Sequence, residues 1–132
     1  MRIVHFVALG GLAALFACGG SSNPTGPGGS KGSVTDIVIQ DFSYTPATIT
    51  IKAGTTVRWT NHGPSGHTTT SDGDVWNSGT LSPPSGGDGY GGGSAGGSFQ
   101  FKFDQPGTYA YHCMLHPPAS YPSFVGSVVV TE

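Results

Sequence analysis

The sequence predicts an all-β domain folded as a two-sheet sandwich. Apolar residues fall in short runs that alternate with polar ones, and no long stretch carries the helix period. Turn formers separate those runs: glycine contributes 23 and proline 10 of the 132 residues. Charge is sparse, with a formal net value of −2. No basic stripe is present, which argues against a nucleic-acid partner, and the length suits one domain.

The runs can be taken in chain order. "VTDIVIQDFSY" (34–44) reads as the first strand, and the folded domain is expected to span 34–132. "ATITIKAG" alternates Ile49 and Ile51 and stops at a turn, Ala53-Gly54. "TTVRWTN" alternates Val57 and Trp59; Trp59 and Trp76 are expected in the core. "GHTTTSD" is rich in β-branched threonine. "SFQFKF" places Phe99, Phe101 and Phe103 on one face, with Gln100 and Lys102 on the other. After the turn "QPGT", "TYAYHC" sets Tyr109, Tyr111 and Cys113 opposite Ala110 and His112. "VGSVVVTE" closes the chain. Seven to eight short strands of this kind fit a sandwich. Residues 83–98, "PPSGGDGYGGGSAGGS", interrupt the pattern as a Gly-rich insertion. Such a run buries too little apolar area to offset its ordering entropy, so a mobile surface loop is expected.

The first residues belong to export rather than to the fold. Residues 1–17 carry one Arg and an apolar run too short for a stable bilayer span, which fits a signal peptide. "LFAC" resembles the bacterial lipobox, with Leu15 and Ala17 before Cys18 and a bulkier Phe16 between them. That resemblance implies a lipid on Cys18. Residues 18–33 then read as a flexible Gly/Ser tether between a membrane anchor and the domain. Gly19 follows the cysteine, so the aspartate retention signal of the inner membrane is absent. The expected location is the periplasmic side of a bacterial membrane or the cell surface.

With Cys18 in the processing segment, Cys113 is a lone thiol in an exported domain, safe only if buried or bound to metal. Cys113 ends one strand, His116 lies on the loop after it, and His67 follows the turn "NHGPSG" before another strand. Strand ends gather at one pole of a sandwich, so the three side chains can converge there. Two imidazoles and a thiolate make a trigonal set suited to copper, which a weak axial group usually completes. Cys-His₂ also suits zinc with one open position. His112 alternates away from Cys113, His62 reads as an exposed loop residue, and His5 belongs to the signal. Asn61 and Thr68 are candidates to brace the ligand loops by hydrogen bonding.

The blocks "GHTTTSD", "SFQFKFDQPGTYAYHCMLHP" and "GSVVV" resemble the cupredoxins, the small blue copper proteins, and especially their plastocyanin and amicyanin branch. The similarity covers most of 34–132. It implies a Greek-key β-sandwich holding one type 1 copper that alternates between Cu(I) and Cu(II) in one-electron transfer. It assigns His67, Cys113 and His116 as ligands, with His116 as the electron exit through an apolar patch that includes Pro117 and Pro118. The branch places a methionine ahead of the last strand, where this chain reads "FVG", so Phe124 stands at the axial position. Met114 sits in the tight Cys-x-x-His turn and is poorly placed to reach the metal. The alternatives are an axially empty site beside Phe124, the Gly66 carbonyl as in the azurin branch, or an oxygen of Ser120 or Tyr121 from the long loop "PPASYPS". The expected function is electron transfer to redox partner proteins at the membrane, by a monomer that is not an enzyme. Copper delivery or sequestration is the alternative.

Overall fold

The computed structural model of the chain describes residues 32–86 and 93–132. The signal peptide, Cys18 and all but the end of the tether lie outside them, as do Asp88 and Tyr90 of the insertion. The strands are β1 (Val34–Gln40), β2 (Ser43–Thr45), β3 (Thr48–Lys52), β4 (Thr55–Asn61), β5 (Thr70–Ser71), β6 (Ser98–Phe103), β7 (Gly107–His112) and β8 (Val125–Thr131). They form two four-stranded sheets, ordered β2-β1-β4-β6 and β3-β8-β7-β5. The β1–β4 and β3–β8 pairs are parallel and the other pairs antiparallel, so both sheets are mixed. β1–β2 and β7–β8 pair within one sheet, while every connection from β2 to β7 crosses from one sheet to the other, giving a Greek-key β-sandwich. Among the described residues there is no helix.

Alternation in the sequence becomes alternation of burial. In β4, Thr55, Val57, Trp59 and Asn61 are buried and the residues between them are not. Trp59 faces Ile37 on β1 and Phe99 on β6 in register. Across the sandwich its ring meets Trp76 at 5.5 Å and Tyr111 at 5.6 Å, near a right angle to the latter. Edge-to-face geometry of this kind adds to what area burial supplies. Ile49 and Ile51 of β3 pair with Val128 and Val130 of β8 to fill the other layer.

Three expectations change. "VTDIVIQDFSY" is two strands: the chain reverses at Asp41–Phe42, and β2 returns antiparallel to β1. Phe42 has φ of 63°, a left-handed value no sequence period signals. Of the threonine run after His67 only Thr70 enters a strand, opposite His112, because Thr69 bonds Ser78 instead. The insertion is anchored at its end: Ser85 bridges Ser94, Gly97 bonds both Asn61 and Ser82, and Ser98 already belongs to β6. A Cβ on Gly96 would stand 1.7 Å from the Asn61 carbonyl oxygen, so glycine there serves close approach of two backbones.

Tyr111 lies flat over its cross-strand partner Gly126, where an added Cβ would come within 2.1 Å of the ring. Its hydroxyl and the Trp59 indole nitrogen are both buried without a well-formed hydrogen bond; burial pushes the phenol up to about 12, and the neighbouring Trp59 N–H works weakly the other way. Ring volume, not the hydroxyl, is therefore what the core uses. Gly126→Ala should lower unfolding free energy by about 1–3 kcal/mol in urea titration, as overpacking does. Tyr111→Phe should stay within about 1 kcal/mol of wild type, because it removes an unpaired buried group.

Candidate metal centre

The site forms where β7 ends and the loop before β5 begins. Cys113 is fully buried at the foot of β7, and His67 is fully buried on a short bridge to Leu81. His116 returns on a tight turn in which its N–H donates to the Cys113 carbonyl at 3.3 Å. One ligand atom from each of the three lies within 4.8 Å of the other two. His67 Nδ1 is 3.3 Å from His116 Nδ1, and Cys113 Sγ is 3.6 Å from His116 Nδ1.

These separations fit a metal at the centre. Bonds of about 2.0 Å to nitrogen and 2.3 Å to sulfur, spread trigonally, hold nitrogens about 3.5 Å apart and nitrogen and sulfur about 3.7 Å apart. The tautomer points the same way. His67 Nε2 is 2.9 Å from the Asp41 carboxylate, so its proton belongs on that side and Nδ1 presents a lone pair inward. A buried lone pair facing a second imidazole nitrogen and a sulfur calls for a cation.

The ligands are held by neighbours on three other segments. The Thr68 N–H donates to Cys113 Sγ at 3.3 Å, and the Thr68 hydroxyl accepts from the Met114 N–H at 2.9 Å. Tyr44 donates to the Thr68 carbonyl at 2.6 Å. Burial above all, then the proximity of Cys113 and Tyr111, pushes the Tyr44 phenol far above its usual value, so it remains a donor. Asn61 Nδ2 donates to the carbonyls of Ser65 and Leu81, and its Oδ1 accepts from the Gly63 N–H. Asn61 thus closes the turn that presents His67.

Asp41 and Phe42 were not among the residues expected from the sequence. Ser65 donates to Asp41 through both its N–H and its hydroxyl. The hydrogen bond with His67 is the main cause holding the Asp41 carboxyl below the usual carboxylate range; partial burial works against it and the Ser65 bonds assist. Phe42 stacks on Tyr121 at 4.5 Å and stands edge-on to the His116 ring at 5.2 Å. The only sequence signal was an Asp-Phe pair after a β run, too common to single out.

Phe124 is fully buried, with its ring 5.0 Å from that of His67 and 6.0 Å from that of His116. Met114 is exposed, and its sulfur accepts from Asn77 Nδ2 at 3.4 Å. Tyr121 is occupied as an aromatic wall, and Ser120 is exposed. Gly66 directly precedes His67, with a Cβ position 3.2 Å from Thr80 Cγ2. His62 is exposed, and His112 points away from the site to Asp72 at 2.6 Å.

A mixed two-sheet sandwich with a His₂Cys cluster at one pole defines a cupredoxin. The family of copper binding proteins described as plastocyanin/azurin matches residues 33–131, and the chain belongs to it. Chloroplastic plastocyanin of Tetradesmus obliquus is 38% identical over 87 residues, which are 66% of this chain and 57% of that protein. Plastocyanin of Scenedesmus fuscus is 37% identical over 76 residues, 58% of this chain and 76% of that one. Among solved structures, a purple cupredoxin from Nitrosopumilus maritimus superposes with a TM-score of 0.54 at 28% identity, covering 74% of this chain and 99% of the other. Oxidized plastocyanin from Dryopteris crassirhizoma shares the fold, with a TM-score of 0.52 at 22% identity, over 74% of this chain and 100% of that one. The cofactor is one copper ion, and the donor set of His67, Cys113 and His116 fits it.

Asn61→Ala would leave the Ser65 carbonyl without its donor and the Gly63 N–H without its acceptor, reduce the Leu81 carbonyl to the His67 N–H alone, and loosen the turn before His67. It should lower the stability of the metal-free domain by at least about 2 kcal/mol in denaturant titration.

Proposed function

We propose that this protein is a one-electron carrier whose electron passes through His116. Bound copper supplies the chemistry by alternating between Cu(II) and Cu(I). The chain's part is to hold one arrangement for both states and to offer a contact surface. The observation that carries the reading is the bracing of the ligands: backbone and side-chain bonds from Thr68, Asn61 and Asp41 grip the Cys113 and His67 segments from separate parts of the chain. A pre-organised site needs little rearrangement when charge changes. A delivery protein needs ligands that let go, and fully buried Cys113 and His67 do not suit release.

The surface around His116 supports the same reading. His116 is half-buried, and Met114, Leu115, Pro117 and Pro118 beside it are exposed. Phe42 adds a partly exposed ring. An apolar rim around a ligand that reaches the metal lets a redox partner exclude water at the point of closest approach. The plastocyanin likeness of the domain fits that use. We place the domain outside the cytoplasm, tethered through Cys18 and residues 18–33, with redox partners at the membrane surface.

For the axial direction we favour a near-trigonal copper with Phe124 beside it or a weak contact from the Gly66 carbonyl. An empty axial position favours Cu(I) and raises the potential, whereas a hard carbonyl oxygen there favours Cu(II) and limits that rise.

Adding Cu(II) to the purified domain should produce an intense thiolate-to-copper absorption that is lost in Cys113→Ser, while the paramagnetic resonance spectrum changes to that of an ordinary Cu(II) site without thiolate. A colourless protein that retains zinc instead would sink the carrier reading. Phe124→Met should lower the midpoint potential; an unchanged potential would show that the residue does not face the metal.

A further inference from the structure

The turn between β1 and β2 lies outside the ligand motif, yet two of its side chains reach the copper site. In an extended chain, consecutive side chains point to opposite faces. Asp41 and Phe42 do not: one contacts His67 and the next contacts His116. The left-handed φ of 63° at Phe42 accompanies this convergence. That conformation costs a bulky residue on the order of 1–2 kcal/mol, and persists only where surrounding contacts over-determine it. Those contacts are present. The Phe42 ring lies 18° from parallel on Tyr121, and it stands near-perpendicular to His116 and to Phe124. Tyr121 meets the same His116 ring edge-on at 5.1 Å.

We infer that the Asp41–Phe42 turn is a third loop of the copper site, beside the one that carries His67 and the one that carries Cys113 and His116, with a separate task for each residue. Asp41 is a positioning residue. It fixes the His67 ring and tautomer through Nε2 and increases the donor strength of Nδ1, as a carboxylate bonded to a metal-binding imidazole does. Its negative charge favours Cu(II) over Cu(I) and so works against the rise in potential that an empty axial position brings. The two Ser65 bonds keep the carboxylate aimed at His67 rather than at solvent. Phe42 forms, with Tyr121, an aromatic wall over the flank of His116 that keeps water and small anions from the metal. The ligands alone leave that flank open, since the Pro117–Ser120 loop is exposed.

The inference rests on the copper reading, and the test separates the two. The variants are Asp41→Asn, which keeps a hydrogen-bond acceptor without the charge, Asp41→Ala, and Phe42→Gly, which accepts the left-handed backbone without strain. Cu(II) and Cu(I) affinities are measured by chelator competition, and visible spectra are recorded with and without azide. The His67 ring is followed by nitrogen NMR in the metal-free protein. Asp41→Asn should weaken Cu(II) binding about tenfold more than Cu(I) binding, a rise of about 59 mV for a one-electron couple. Asp41→Ala should cost about 10–100-fold in copper affinity and abolish the Nε2–H preference of metal-free His67. Phe42→Gly should leave the protein folded and let azide perturb the thiolate-to-copper bands at concentrations that leave wild type unchanged. A wild-type domain that takes up no copper overturns the copper reading itself. A normally coloured wild type, with an Asp41→Asn affinity ratio within twofold of it and an unchanged His67 tautomer in Asp41→Ala, overturns the role of Asp41. Phe42→Gly spectra as indifferent to azide as wild type overturn the wall.

Discussion

Thr68 is the residue on which the geometry of the centre depends. Its N–H reaches the Cys113 sulfur, its hydroxyl receives the Met114 N–H, and its carbonyl receives the Tyr44 phenol. These bonds join the His67 segment to the end of β7 and to β2, which belong to opposite sheets. A thiolate is a strong donor on a single-bonded arm and would otherwise swing. Here its position is set by a backbone N–H from the residue after another ligand. Motion of either ligand segment therefore breaks a buried hydrogen bond, and low dielectric makes that costly.

The sandwich supplies the platform for this knot. Trp59, Trp76, Tyr111, Phe103 and Tyr44 pack between the sheets, and Tyr44 and Phe124 continue that aromatic layer to the ligand pole at 4.7 Å. The rings of Phe124 and His67 at the ligand pole are thus braced by the core itself. A site built on such a layer inherits its rigidity, because close-packed interiors deform little. Electron transfer gains from that rigidity, whereas metal release would require part of the core to open.

Much of this was legible in the chain. Alternation in β4, β6 and β7 reports burial directly, since a strand shows its two faces at a period of two. The Cys113–His116 spacing is local, so its geometry follows from one tight turn, and the "NHGPSG" turn marked the approach to His67. Asn61 and Thr68 stood out as polar residues flanking a ligand. Asp41 and Phe42 did not, because their place depends on a left-handed residue and on a partner 26 positions away. Nor did the anchoring of Gly96 and Gly97 show, since low complexity reads alike whether the glycines are free or are pressed against the Asn61 backbone.

The sequence by itself determined the all-β class, the faces of the long strands and the chemical identity of the three metal donors. Each of these rests on residues close together in the chain or on a simple period. The tertiary structure decided which nitrogen of His67 faces inward, how the sulfur is held, and which aromatic rings enclose His116. Those depend on contacts between segments far apart in sequence, and only packing of the two sheets brings such segments within hydrogen-bond and ring-stacking distance.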